Sequence, residues 1–357
     1  MARVAMAISG GVDSSVAAVL LKEQGHDVIG LHMKLYHGPE NNNRQKSCCS
    51  LDEAIEARIA CHRLDIPFYV LDYQDEFRES VIDYFVEEYS GGKTPNPCVM
   101  CNKIIKNDLL LKKTEELGCD FLATGHYAKI IYSSDSGRSQ LSRPQDLKKD
   151  QTYFLHGIKS EELSRLMFPL SDIIKPEVRK IAERLKLSAA KKPDSQEICF
   201  VPKDYRSFLK QELSLSPEPG DFISLSGDVL GEHLGLAFYT IGQRRGLGIS
   251  DSTPYYVVKI DFKSNTVVLG KEDDLFSQTI WVSDVNWVSI SPPEEPICVS
   301  VKPRYSHRGA TATVYPEMKN QVRVEFEKPE RAITPGQAAV FYQDKILLGG
   351  GWIKDSP

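Results

Sequence analysis

Ser9-Gly10-Gly11-Val12-Asp13-Ser14-Ser15 stands between an apolar run, Arg3–Ile8, and a helical pattern, Asp13–Gln24. Paired glycines allow a backbone to approach a ligand closely, and hydroxyl and N–H groups at the start of a helix bind anions. The string therefore predicts a strand–loop–helix unit that binds phosphate, with Asp13 as a Mg²⁺ contact. A tight strand–helix turn with capping serines is the alternative reading.

Two other phosphate signatures are missing. Gly92-Lys93-Thr94 ends like a Walker loop, but Glu87 stands where the first glycine of that motif belongs. Pro95 and Pro97 are also expected to prevent a helix from starting directly there. The first turn has no G-x-G-x-x-G string, so the sequence excludes a Walker NTPase and a standard Rossmann dehydrogenase.

Outward from this loop, short apolar runs alternate with helical patterns, which predicts an α/β domain with a parallel sheet. Strands are expected at 3–8, 28–33, 68–71 and 120–124, and helices at 13–24, 50–64, 77–89 and 103–117. Ser50-Leu-Asp-Glu53 is a capping box for the second helix. From about 150 to 211 the pattern is helical, with Pro176 in a first helical turn.

Beyond Pro217-Glu-Pro-Gly220 the pattern changes to β-branched runs with turn glycines and prolines. We predict a catalytic domain over 1–211, a small β-rich domain over 212–276 and a C-terminal β-barrel over 277–357. Regularly spaced strands favour the barrel; they are expected at Ile297–Lys302, Ala310–Val314, Gln321–Phe326 and Ala338–Tyr342.

Length, composition and charge limit the number of domains and the classes of function. The 357 residues, 41% of them hydrophobic, suffice for two or three domains with real cores. No apolar stretch approaches the roughly 18 residues that span a bilayer, and no signal peptide is recognisable, so we expect a soluble, cytoplasmic chain. The net charge of −5 argues against an indiscriminate nucleic-acid binder. Residues 141–210 carry fifteen Lys/Arg against ten Asp/Glu, which fits either a selective RNA contact or a solvated helix face.

Eight cysteines without a secretory signal indicate reduced thiols, metal sites or redox chemistry. Cys48 and Cys49 are adjacent, Cys98 and Cys101 form a C-x-x-C, and Cys199 stands alone. The remaining three, which lie in apolar-periodic or strand-like segments, are interpreted as structural: Cys61, Cys119 and Cys298.

The phosphate loop resembles that of the N-type ATP pyrophosphatases, which cleave ATP to AMP and pyrophosphate while adenylating a substrate. Further motifs, in the same order along nearly the whole chain, resemble the tRNA-specific 2-thiouridylase family. They are Thr94-Pro-Asn-Pro-Cys-Val-Met-Cys-Asn-Lys103, Ala123-Thr-Gly-His-Tyr-Ala128, Lys149-Asp-Gln-Thr-Tyr-Phe-Leu155, Asp194-Ser-Gln-Glu-Ile-Cys-Phe200, Tyr239-Thr-Ile-Gly-Gln-Arg-Arg-Gly-Leu-Gly248 and Arg304-Tyr-Ser306.

The resemblance implies a sulfurtransferase that forms AMP and pyrophosphate while replacing the C2 oxygen of the wobble uridine of certain tRNAs by sulfur. ATP with Mg²⁺ would activate that oxygen, which is otherwise a poor leaving group. Positions matching the family's ATP contacts are Ala7, Ile8, Ser9, Gly10, Gly11, Val12, Asp13, Ser14, Ser15, Met33 and Gly125. Those matching target-base contacts are Asn96, Pro97 and Cys98, and those matching tRNA contacts are His126, Lys149, Asp150, Gln151, Arg304, Tyr305 and Gln337.

The resemblance also implies that Cys199 carries a persulfide and that Cys101 is its nucleophilic partner. Either Cys101 releases hydrosulfide from that persulfide, or the persulfide attacks the base directly. We expect Lys103, or the start of the helix at 103, to lower the pKa of Cys101. Many family members have aspartate at position 98. Cysteine there completes a three-thiol set with Cys101 and Cys199, so a [4Fe–4S] cluster that carries sulfide is an alternative.

The implied partners are the anticodon loop of tRNA and an external persulfide donor, either a cysteine desulfurase or a relay protein. Two other functions are considered. An amidating ligase of the same ATP class would need an ammonia source, and no glutaminase-type region is apparent in the sequence. A non-catalytic, nucleotide-gated RNA-binding protein would use its cysteines only structurally.

Overall fold

The computed structural model describes residues 1–36, 51–191, 198–201, 205–213, 218–318 and 320–354. The sequence predictions at Cys48, Cys49, Ser50, Pro217 and the segment 194–197 lie outside these residues. Within the part of the chain that is described, no helix is long and apolar enough to cross a membrane.

The N-terminal domain alternates strands and helices as the sequence predicts. In chain order its elements are β1 Arg3–Ala7, α1 Val12–Glu23, β2 Asp27–Lys34, α2 Leu51–Arg63, β3 Phe68–Asp72, α3 Gln74–Phe77, α4 Tyr84–Ser90, α5 Pro97–Met100, α6 Leu110–Glu116, β4 Phe121–Ala123, β5 Lys129–Ser133, β6 Arg138–Ser142, β7 Leu166–Met167, α7 Lys175–Arg184 and α8 Tyr205–Leu213. The π-helical turns Arg78–Asp83 join α3 to α4, and those at Cys101–Leu109 join α5 to α6.

A five-stranded sheet of order β3-β2-β1-β4-β7 forms the centre of this domain, and all of its pairings are parallel. The central β1 is buried from Val4 to Ala7 because apolar clusters cover both faces of the sheet. Since the strands are parallel, the segments that follow β1, β2, β3 and β4 all emerge at the same carboxyl edge. The predicted parallel α/β domain is confirmed.

The helix before β4 begins at Pro97, six residues earlier than predicted. Asn96 has an extended backbone (φ −116°, ψ 92°), and Pro97 occupies the first turn, where its missing N–H would have no helical acceptor. As expected, no helix starts directly after Gly92-Lys93-Thr94, because residues 93–96 are non-helical. Cys98 lies in the first turn, whereas Cys101 lies beyond it. The expected lowering of the Cys101 pKa by Lys103 or the helix start stays a prediction.

The region 150–211, predicted to be helical throughout, is more irregular. It contains short 3₁₀ turns, the helices α7 and α8, and the strand β7, which pairs with β4 at Leu122↔Leu166. Pro176 does lie in the first turn of α7. The β5–β6 hairpin was not predicted from the sequence. Its β6 strand pairs with a strand of the C-terminal domain (Leu141↔Leu347), and a single-sequence pattern does not contain that contact.

The two remaining domains are β-rich, as predicted. The central one contains β8 Gly220–Ser224, β9 Val229–His233, β10 Tyr256–Asp261 and β11 Thr266–Gly270, in the order β10-β11-β8-β9. The C-terminal one contains β12 Phe276–Trp287, β13 Ile297–Lys302, β14 Ala310–Pro316, β15 Val322–Arg331, β16 Ala338–Gln343 and β17 Ile346–Ile353. Pairing of β12 with β17 closes these six strands into a barrel.

Candidate active site

The phosphate loop lies at the carboxyl edge of β1. Two glycines, one in the loop and one facing it, are packed too closely against neighbouring backbone to carry a side chain. Gly10 has φ +80°, and a Cβ there would lie 2.5 Å from the carbonyl oxygen of Glu53. A Cβ at Gly125, just after β4, would lie 2.8 Å from the backbone nitrogen of Ser14. The hydroxyls of Ser14 and Ser15 donate to the carbonyl of Gly11 at 3.2 and 2.9 Å, which fixes the first turn of α1.

These residues fit the phosphate chain of ATP. The first backbone N–H groups of α1 have no acceptor within the helix and lie at its positive end. Because glycines have no side chain, a ligand can approach these N–H groups closely. Ala7, Ile8 and Val12 are buried behind the loop, so any contact they make with a nucleotide is through the backbone. Met33, near the end of β2, is partly buried at the edge where open α/β sheets bind ligands.

Asp13, the predicted Mg²⁺ contact, already has protein partners. The Lys175 Nζ lies 2.7 Å from each of its carboxylate oxygens, and the Tyr127 hydroxyl donates to one of them at 2.9 Å. The side-chain oxygen of Gln151 in turn accepts from the backbone N–H of Tyr127 at 2.9 Å. Sequence reasoning missed Lys175, since nothing local connects it with a loop 162 positions away.

Cys101 and Cys199 pack against one group of apolar side chains at the carboxyl edge of the sheet. We call this group the carboxyl-edge cluster; its buried members are Leu35, Phe77, Val81, Ile82, Phe85, Tyr89, Ile105, Phe200, Val201, Phe208 and Leu209. Phe200, directly after Cys199, makes edge-on ring contacts with Phe77 and Phe85 at centroid distances of 5.8 and 5.3 Å. Met33 packs against the same cluster, so the predicted adenine contact and the two predicted catalytic cysteines pack on one group of apolar side chains.

The thiols do not fit an iron–sulfur cluster. Cys98, Cys101 and Cys199 are all described, and no three His, Cys, Asp or Glu side chains among the described residues are placed to hold a metal ion. Cys98 is exposed, whereas Cys101 and Cys199 are half-buried. Of the three cysteines interpreted as structural, Cys61 and Cys119 are buried but Cys298 is exposed on β13.

All three domains meet at the loop that carries Asn96 and Pro97. The side-chain amide of Gln337, between β15 and β16, donates to the carbonyl of Thr94 at 2.8 Å. The N–H of Thr94 donates to the carbonyl of Pro335 at 3.0 Å, and its hydroxyl lies 3.5 Å from that of Thr240 in the central domain. Gln337, a predicted tRNA contact, thus connects the barrel to the predicted target-base loop.

His126 follows β4 and bonds through both ring nitrogens. Nδ1 lies 2.7 Å from the Thr124 hydroxyl, and Nε2 lies 3.4 Å from the Lys106 Nζ. Burial, and then the charge of Lys106, lower the pKa of His126 well below its ordinary value. The imidazole is therefore neutral near pH 7. Since the Lys106 ammonium only donates, Nε2 is the acceptor and Nδ1–H donates to Thr124.

The other predicted tRNA contacts differ in accessibility. Asp150 is buried and accepts from the Thr152 backbone and hydroxyl at 2.9 and 2.6 Å, so it stabilises its own turn. Lys149, next to it, is half-buried. The Tyr305 ring is 40% exposed and lies 4.4 Å from the ring of Phe154. Arg304 donates to the backbone carbonyl of Arg331 at 3.1 Å.

A parallel sheet whose first strand leads into a glycine–serine loop at a helix start defines a nucleotide-binding domain of the pyrophosphate-loop class. Three family models match the chain: tRNA methyl transferase HUP domain over residues 2–203, tRNA methyl transferase PRC-barrel domain over 206–271, and aminomethyltransferase beta-barrel domain over 277–353. The predicted borders at 211/212 and 276/277 stay predictions.

Curated relatives match almost end to end. The tRNA-specific 2-thiouridylase MnmA of Clostridioides difficile (strain 630) is 45% identical over 99% of this chain and 98% of its own length. MnmA of Clostridium acetobutylicum is 46% identical over 99% of both chains. The chain belongs to the tRNA-specific 2-thiouridylase family. A solved 4-thiouridine synthetase–RNA complex with bound ATP aligns with 60% of this chain and 50% of its own length, at 15% identity and a TM-score of 0.38.

Proposed function

We propose that the chain is an ATP-dependent tRNA sulfurtransferase that converts the wobble uridine of certain tRNAs to 2-thiouridine. The observation that carries this proposal is that Cys101 and Cys199 pack on one apolar cluster together with Met33, at the sheet edge where the phosphate loop lies. Full-length similarity to curated 2-thiouridylases supports it. Neither an amidating ligase nor a nucleotide-gated binder has a use for two cysteines in this arrangement.

In the first half-reaction the uridine C2 oxygen attacks the α-phosphate of ATP, and pyrophosphate leaves. The backbone N–H groups at the start of α1 and the hydroxyls of Ser9, Ser14 and Ser15 would bind the phosphates, with Mg²⁺ supplying further positive charge. The C2 oxygen then leaves as part of AMP. The loop 94–98 would position the base, which must leave the anticodon stack to reach the phosphates.

The second half-reaction uses sulfur delivered to Cys199 as a persulfide by an external donor. The Cys101 thiolate attacks the Cys199 Sγ, so a Cys101–Cys199 disulfide forms, the sulfur–sulfur bond of the persulfide breaks and hydrosulfide leaves. Hydrosulfide attacks the activated C2 and displaces AMP. An external thiol reductant then returns both cysteines to thiols. In the direct variant, the persulfide attacks C2 and Cys101 resolves the adduct.

Serine substitutions test this proposal. Anaerobic thiolation of a tRNA transcript, with ATP and a persulfide donor, is measured by mass spectrometry of the nucleosides. Cys101→Ser and Cys199→Ser should each lose at least about a hundredfold in rate, since each removes a sulfur that the chemistry requires. Cys298→Ser, an exposed cysteine of the barrel, is the matched control and should stay within about twofold. Normal thiolation by Cys199→Ser would refute the proposal and favour the ligase or the RNA binder.

The persulfide route, rather than an iron–sulfur cluster, is the one that the thiol arrangement favours. Iron and acid-labile sulfide analysis of anaerobically purified protein tests this choice. We expect the metal-free chain to thiolate tRNA from a persulfide donor and Cys98→Ser to retain most of that rate. About four irons per chain, lost together with activity in Cys98→Ser, would establish the cluster route instead.

A further inference from the structure

Lys175 reaches the phosphate loop from a distant part of the chain. Its Nζ lies 2.7 Å from both carboxylate oxygens of Asp13. Only 9% of the Lys175 side chain is exposed, against 33% for Asp13. A largely buried ammonium group within the protein thus neutralises the carboxylate in the first turn of α1.

The backbone of Lys175 is fixed relative to the loop. Its N–H donates to an Asp146 carboxylate oxygen at 2.9 Å, and Pro176 follows it in the first turn of α7. Val178 and Ala182 of α7 are buried in the same apolar cluster as Val16 and Val19 of α1. The helix is therefore anchored beside the phosphate loop. The four-carbon stem of a lysine still allows its ammonium group to reorient over a few ångströms.

The charge of the loop explains why this lysine is needed. Between Ser9 and Ser15 there is no Lys or Arg, and the single charged residue, Asp13, is negative. A Walker loop carries its own lysine for the β- and γ-phosphates. Here an unneutralised Asp13 would repel the phosphate chain. A divalent cation bound by the same carboxylate would release the ammonium group beside the phosphates.

We propose that Lys175 is an ATP-positioning residue: its ammonium group neutralises Asp13 before nucleotide binds, and it contacts the phosphate chain once Mg²⁺ takes the Asp13 carboxylate. This inference rests on the proposed function, since it requires ATP at the loop. The competing role for Lys175 is a permanent ion pair that only stabilises the fold. In that role it never contacts the nucleotide.

A double-mutant cycle separates the two roles. The dissociation constant for ATP is measured by calorimetry on the full chain, in EDTA, for the wild type, Asp13→Asn, Lys175→Gln and the double variant Asp13→Asn/Lys175→Gln. Asp13→Asn removes the partner of Lys175 without Mg²⁺, so ATP should bind about tenfold tighter, the size of one charge-assisted hydrogen bond. The double variant should lose that gain. If it retains the gain, removal of the Asp13 charge alone explains the effect and the proposal is overturned.

Lys175→Gln by itself provides a second measurement. In Mg²⁺ its affinity for ATP should fall at least about tenfold, whereas its affinity for AMP, which lacks the β- and γ-phosphates, should stay within about twofold. Equal losses for ATP and AMP would indicate a general disturbance and contradict the proposal. Thermal unfolding checks that each variant is folded, and Lys175→Met replaces any glutamine variant that is not. A wild-type chain that binds neither ATP nor AMP would instead refute the proposed function.

Discussion

Gly10 and Gly25 lie at opposite ends of α1 and form a matched pair for testing the phosphate loop. Their φ angles are +80° and +81°, so alanine introduces the same backbone strain at both positions, about 1–2 kcal/mol. Their surroundings differ. A Cβ at Gly10 would lie 2.5 Å from the Glu53 carbonyl oxygen, whereas a Cβ at Gly25 would have nothing within 4 Å.

We therefore expect Gly25→Ala to cost about 1–2 kcal/mol of unfolding free energy and to bind ATP like the wild type. Gly10→Ala should cost about 1–3 kcal/mol more, because the loop or the first turn of α2 must shift to relieve the contact. That shift displaces the N–H groups at the start of α1, so ATP affinity should fall at least about tenfold.

Urea denaturation followed by circular dichroism gives the stability difference, and calorimetry gives the ATP dissociation constant. The reasoning is refuted if the two variants lose equal stability and Gly10→Ala binds ATP with wild-type affinity. The contact with Glu53 would then be relieved without moving the loop, and a close approach to the phosphates would not be the reason for glycine at position 10.

Three further predictions concern the other parts of the site. Gln337→Ala removes the hydrogen bond to the Thr94 carbonyl and should slow thiolation about tenfold with unchanged ATP affinity; loss of ATP binding would contradict a role confined to the 94–98 loop. Tyr305→Ala should weaken tRNA binding about tenfold in a filter-binding assay, the value of one base stack, whereas Tyr132→Ala, at an exposed tyrosine outside the predicted site, should have no effect. Burial lowers the pKa of His156 to about 4 in the folded chain. Its pKa in the unfolded chain is near 6.5, so on acidification the unfolded chain takes up a proton on this imidazole before the folded chain does. The free energy of unfolding should therefore fall by roughly 3 kcal/mol as the pH drops from 6.5 to 4. His156→Gln should flatten that part of the pH profile in denaturation experiments, and an unchanged slope would assign it to other groups.

Local sequence signals located most of the regular structure correctly. Strand β13 has the predicted bounds, and β1, β2 and α1 differ from prediction by one residue at each end at most. Strand periodicity, turn glycines and the glycine–serine loop depend on neighbouring residues, so a single sequence contains them. The helix before β4 starts at Pro97 rather than at the predicted residue 103, because proline is favoured in a first helical turn.

Signals within the sequence were thus sufficient to predict the parallel α/β domain, the C-terminal barrel, the strand–loop–helix unit at residues 9–15 and, through its motifs, the family. Three contacts became evident from the three-dimensional structure alone: the ion pair of Lys175 with Asp13, the packing of Cys101 and Cys199 on the carboxyl-edge cluster, and the extension of the barrel sheet by the β5–β6 hairpin. Each of these contacts joins residues far apart in the chain. The packing of whole helices and strands against one another sets their geometry, and no local pattern of residues encodes that packing.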